Sequence, residues 1–150
     1  MAPARHLPDE SFPFLTLSQR DRLLAHGWQQ HFEPSAVVLS EGHRSRSIYV
    51  LMSGCVAVEK ECDGAGVVLD ELRPGAVFGE VSYLAGMPAS ASVVARTPAD
   101  VFVLEEIDEL LATDVDLAAG FYRSLASLLA RRLRLTTRET ARGAAMPVST

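Results

Sequence analysis

From Trp28 to Glu105 the chain is a succession of short apolar-rich runs: Trp28–Glu33, Ala36–Ser40, Ser47–Met52, Cys55–Glu61, Gly66–Leu72, Ala91–Thr97 and Val101–Glu105. They are separated by turn-forming residues, namely Pro34, Gly42, Ser53-Gly54, Asp63-Gly64, Pro74-Gly75 and Pro98. Runs of this length and spacing predict a β-sandwich or barrel. VVL and IYVLM are apolar at consecutive positions, as strands buried on both faces are. Ser18, with Asp21 three residues later and Gly27 as a stop, predicts a short helix over about 18–26. The period changes after Glu106. Ile107–Ala112 reads as a short helical piece, and a longer helix is expected over about 114–138. Its apolar stripe is Leu117, Phe121, Leu125, Leu128, Leu129 and Leu133, at three- and four-residue steps. Asp114 and Asp116 at its start and arginines at its end both suit the helix dipole.

The expected organisation is an extended N-terminal arm over 1–14, where three prolines interrupt any period, one domain over 15–142 and a tail over 143–150. The barrel occupies about 28–106. At 150 residues the chain is long enough for one well-buried core. No apolar run approaches the roughly 18 residues that a membrane-spanning helix needs. Without a basic-then-apolar leader, the cytoplasm is the expected location. Two cysteines, Cys55 and Cys62, form no metal-ligand spacing and are expected as free thiols. No metal or cofactor is expected.

Charge changes the picture in one place. The net charge is −5, but residues 131–142 hold five arginines against Glu139, so the rest of the chain carries −9. An acidic body disfavours nucleic-acid binding, where phosphate contacts dominate. The basic segment reads first as dipole complement and solvated face. The four histidines are scattered, and no nucleophile elbow, Walker motif or carboxylate pair appears, so no catalytic residue is assigned.

The candidate chemistry lies in Phe78–Val93, FGEVSYLAGMPASASV. Gly79 allows a close backbone approach, Glu80 offers acceptors for hydroxyls, and the turn from Gly86 to Ser92 presents N–H groups and the hydroxyls of Ser90 and Ser92. Read without context, Glu80 is a helix-start charge and the serines bond local backbone. The stretch resembles the cassette of cyclic nucleotide-binding domains, whose pattern runs F-G-E-[LIM]-[AS]-L and then P-R-[AST]-A-[ST]-V. Leu39–Gly42, Gly54 and Leu72–Gly75 match further family positions in order and spacing. The resemblance covers about Leu15 to Arg138. It implies a mainly β fold, a β-roll or jelly-roll barrel with a short N-terminal helix, a cassette helix and a long C-terminal helix.

It also implies a ligand site of Gly79, Glu80, Val81, Ser82, Ala89, Ser90, Ala91 and Ser92 for cyclic AMP or cyclic GMP. In the family the glutamate accepts the ribose 2′-hydroxyl, an arginine pairs with the cyclic phosphate and small residues donate to it. Here Ala89 stands where the family has that arginine. Loss of one partner of a buried charge pair weakens binding by roughly 30- to several-thousand-fold. Arg44, Arg46, Arg123 and Arg131 are the open candidates for a substitute, and Arg96, far along a strand and on its other face, is not.

Two functions follow as expectations. One is a regulatory sensing module with weak or altered cyclic nucleotide binding, its output passing through the C-terminal helix to a protein partner or second subunit. The alternative is a ligand-free relic acting as an interaction or dimerisation domain. In either case Phe121, Leu125, Leu128 and Leu129 are the expected lid or dimer face. Too few residues follow Arg142 for a helix-turn-helix, so no DNA-binding domain is expected in this chain.

Overall fold

The computed structural model describes residues 6–145, with side chains through 135 and at 137. A single 3-10 turn, Asp9–Ser11, precedes α1 (Leu17–Leu24). Eight strands follow: β1 (Gly27–Phe32), β2 (Val37–Leu39), β3 (Ile48–Ser53), β4 (Val56–Cys62), β5 (Ala65–Leu72), β6 (Val77–Phe78), β7 (Ser92–Ala95) and β8 (Ala99–Leu104). The cassette helix α2 (Glu80–Ala85) lies between β6 and β7; α3 (Asp108–Thr113) and α4 (Val115–Ala145) close the chain. The strands form two four-stranded sheets, β1-β8-β3-β6 and β2-β7-β4-β5, antiparallel throughout. This is the mainly β jelly roll with flanking helices that the sequence predicts.

Burial explains the unbroken apolar runs. On β8, Val101 and Val103 face the layer between the sheets, while Phe102 and Leu104 face the helices. On β3, Ile48 and Val50 face the helices and Leu51 the inter-sheet layer, with a register shift at Leu51–Ser53. Both faces of these central strands are covered, so alternation of side-chain direction produces no alternation of polarity. The β5 strand is an edge, and Val67, Val68 and Leu69 on it are exposed.

Three expectations are corrected. The described part of segment 1–14 is no free arm: Leu7 and Phe12 are fully buried, and Phe12 stacks on Phe121 at 5.5 Å. The Ser11 hydroxyl donates to the Gly75 carbonyl, and the Phe14 N–H donates to Ser124, so the segment straps α4 to the turn before β6. Second, α1 starts earlier. Its capping box is Thr16 with Gln19, the Gln19 N–H reaching the Thr16 hydroxyl at 3.1 Å and the Thr16 N–H reaching Gln19 Oε1 at 2.9 Å. Third, α4 runs to Ala145 rather than 138. β6 went unpredicted because two residues show no period; its partner register, Tyr49 to Phe78 and Val50 to Val77, identifies it.

Candidate functional site

Between the sheets, at the cassette end, the inter-sheet layer is not filled. A cavity of about 210 Å³ opens there. Its apolar walls are Leu39, Val58, Leu72, Phe78 and Val93, drawn from β2, β4, β5, β6 and β7. The cassette supplies Gly79, Glu80, Val81, Ser82, Ala89, Ser90 and Ala91. Two charged residues complete the lining, Asp70 from β5 and Arg132 from α4.

Gly79 makes this geometry. Its φ of +81° is left-handed, and a Cβ there would lie 2.7 Å from the Tyr49 ring, so the position demands glycine. The turn it makes starts α2 with Glu80, which is only 3% exposed. A buried carboxylate needs a partner. Arg132 provides it, donating to Glu80 Oε1 and, through its other terminal nitrogen, to the Val77 carbonyl. The α4 helix is thus tied directly to the one acid that the cassette buries. Ser82 is used internally: its hydroxyl donates to the Met87 carbonyl at 2.7 Å and closes the turn after α2.

The other end of the cassette differs. The Ala89 N–H donates to the His43 carbonyl and its carbonyl accepts from the Gly42 N–H, both at 2.8 Å, so this backbone is committed to the β2–β3 loop. The Ser92 hydroxyl turns outward and accepts from the Glu41 N–H at 2.8 Å; it does not line the cavity. Of the eight expected ligand residues, the structure gathers seven, and Ser92 is the one it turns away.

None of the four candidate arginines substitutes at the cavity. Arg44 donates to the Gly86 carbonyl, and Arg46 pairs with Asp108 over the Tyr83 ring. Arg123 stacks on Phe14 at 4.0 Å, and Arg131 borders a separate hollow with Glu10 and Ser124. Arg132 was missed although it sits four residues after Leu128, on the same helix face as the buried stripe. Its charge hid it among the solvated arginines. Leu133, by contrast, was assigned to the stripe and is 68% exposed.

The expected dimer face is also altered. Phe121 and Leu125 are fully buried in this chain's own helix-side core, and Leu128 and Leu129 are half-buried, Leu128 packing on that core. Phe121 stacks between Phe12 and the edge of Tyr83, which belongs to the cassette helix. The Tyr83 hydroxyl donates to Asp108 Oδ1 at 2.6 Å. Burial, then this bond, raises the phenol well above its ordinary range, and the same bond, with Arg46, holds Asp108 below the usual carboxylate value. Through Tyr83 and Arg132, α2 is therefore fastened to α3 and to α4.

Comparison with known proteins accords with this geometry. The cyclic nucleotide-binding domain profile matches residues 29–114, which include the cassette and all eight strands but for the first two residues of β1. The chain belongs to the cyclic nucleotide-binding domain family. A cyclic nucleotide-binding domain from Methylobacillus flagellatus superposes with a TM-score of 0.81 at 23% identity, covering 93% of this chain and 85% of that one, which shows the shared fold. The catabolite activator protein of Thermus thermophilus gives a TM-score of 0.74 at 28% identity over 88% of this chain and 62% of its own. By sequence, the cAMP-dependent protein kinase regulatory subunit of Yarrowia lipolytica is 34% identical over 57% of this chain. The cAMP-activated global transcriptional regulator CRP of Pasteurella multocida is 27% identical over 84%. The chain spans 22% and 60% of those two proteins' lengths. Among the described residues, no helix of this cyclic nucleotide-binding domain is long and apolar enough to cross a membrane.

Proposed function

We propose that this domain is a cytoplasmic, non-catalytic sensing module that binds cyclic nucleotide weakly or in altered form and signals through α4. The observation that carries the reading is the cavity itself: the family cassette encloses about 210 Å³ around a buried Glu80, and Arg132 of α4 reaches that acid. A ligand acts only through different affinities for two states. Hydroxyls arriving at Glu80 compete with or reorient Arg132, and this couples occupancy to the position of α4. The receiver is a protein partner or a second subunit, and the working unit is residues 15–142 together with the strap that buries Leu7 and Phe12.

Calorimetric titration with cyclic AMP and cyclic GMP tests the site. Weak binding that Ala89→Arg strengthens and Glu80→Ala removes is expected; titrations indifferent to both substitutions refute it. A second reading, a ligand-free interaction domain, draws on the same ion pair, since Arg132 already occupies Glu80. Its surface would be the later turns of α4, where Leu133 and Leu135 are 68% and 52% exposed, in place of the buried Phe121 and Leu125. A monomer at micromolar concentration that engages no partner through Leu133 and Leu135 would rule this out.

A further inference from the structure

Resting on the sensing reading above, we propose that the cavity selects an uncharged, hydroxyl-bearing heterocycle, a nucleoside, over the corresponding cyclic phosphate. The charges around the cavity support this. Among the described residues, its lining holds three charged side chains, Asp70, Glu80 and Arg132. The one cation of the three is matched by the Glu80 carboxylate and by the Val77 carbonyl. What remains in excess is the Asp70 carboxylate at the rim, which repels an anion.

At the cassette turn, the phosphate end by family resemblance, the wall is the Ala89 methyl, and the Ala89 N–H is committed to the His43 carbonyl. The nearby cations face elsewhere. The Lys60 ammonium donates to the Ser90 carbonyl at 2.9 Å and pairs with Glu41 at 3.5 Å, on an outer hollow that it shares with Ser92. Arg44 is bound to the Gly86 carbonyl and borders a different hollow. Among the described residues, a phosphodiester set here would meet only neutral donors such as the Ser90 hydroxyl. An anion buried without a cation is strongly disfavoured, whereas those donors serve a ring nitrogen or hydroxyl equally well.

The rest of the cavity suits the uncharged part of a nucleotide. Glu80 has acceptor sites beyond the one Arg132 uses, ready for sugar hydroxyls. Leu39, Val58, Phe78 and Val93 offer apolar walls to a base. The volume of 210 Å³ is below the roughly 300–1,000 Å³ of ordinary ligand pockets, which also favours the smaller molecule.

The test is calorimetric titration of the whole chain with adenosine, guanosine and their 3′,5′-cyclic monophosphates, for wild type, Ala89→Arg and Glu80→Gln. Wild type should bind one nucleoside about tenfold or more tighter than its cyclic monophosphate. Ala89→Arg should invert that order, and Glu80→Gln should remove nucleoside binding while leaving the fold, read by circular dichroism, intact. Equal or tighter binding of the cyclic phosphate by wild type overturns nucleoside selection and leaves the sensing reading standing. Nucleoside selection is likewise overturned, and sensing retained, if wild type binds neither nucleoside but Ala89→Arg binds a cyclic phosphate. If no protein binds any of the four ligands, both readings fall.

Discussion

The two apolar layers of this barrel share central strands and are finished differently. The helix-side layer is sealed: Phe12, Leu117, Phe121 and Leu125 are buried to 1% exposure or less, and Gly120 lets the Phe14 backbone lie directly on α4. The inter-sheet layer is packed around Leu51, Val56 and Val101 but stops short at the cassette, where a cavity replaces side chains. Strands β3 and β8 serve both layers. The inter-sheet layer thus holds unfilled space at its cassette end, and the link from that space to the long helix runs through charge, Glu80 to Arg132.

Truncation in the sealed layer should have the largest effect. Phe121→Ala removes a ring stacked on Phe12 and is expected to destabilise by about 3–5 kcal/mol in denaturant unfolding. A loss under about 1 kcal/mol would mean that the layer is not close-packed.

Adding a methyl distinguishes the layers next. In Gly120→Ala the new Cβ would lie 2.4 Å from the Phe14 carbonyl oxygen, and the repacking should lose about 1–3 kcal/mol. Ala89→Val adds its methyls beside empty space and should change stability by less than about 0.5 kcal/mol. Equal losses at the two positions would erase the distinction.

The ionic link comes third. Arg132→Ala leaves Glu80 buried without that partner. The expected loss is about 1–2 kcal/mol, below the roughly 3–5 kcal/mol of fully buried pairs, because the arginine side is partly open to water. Combining it with Glu80→Gln should recover most of the loss, and strict additivity of the two would show that the residues do not interact.

The smallest effect is expected at the outer rim, away from both layers. His31 is raised above 6.5, chiefly by its bond to Asp100 and then by Glu33, while Asp100 is lowered, first by that same bond. The histidine's contribution is complete below pH 6.5 and is lost as pH rises through the raised value. The aspartate's contribution is present above 3.8 and is lost as pH falls through its lowered value. His31→Gln should therefore flatten the decline in melting temperature above pH 6.5, and an unchanged profile would exclude the pair.

Much of this was legible in the chain. The seven strand runs were visible because their breakers, such as Pro34 and Asp63-Gly64, act locally. Gly79-Glu80 was visible because a left-handed turn before a helix restricts residue type strongly. The buried strap of Leu7 and Phe12 was not, since two apolar residues among prolines carry no period and acquire a role only when α4 and the turn at Gly75 are beside them. Arg132 was hidden for a related reason. A charge at the end of an apolar stripe reads as solvated until an acid 52 residues earlier is found buried opposite it.

By itself the sequence determined a barrel of short strands, through local backbone preference, and the family cassette with alanine at position 89, through residue identity. Only the tertiary structure decided that a cavity remains, that Ser92 faces away from it, that Phe121 belongs to the core and that Arg132 meets Glu80. Those outcomes depend on which distant surfaces meet and how fully they fill the space between them. Close packing is a property of the assembled set of side chains, and no single segment carries it.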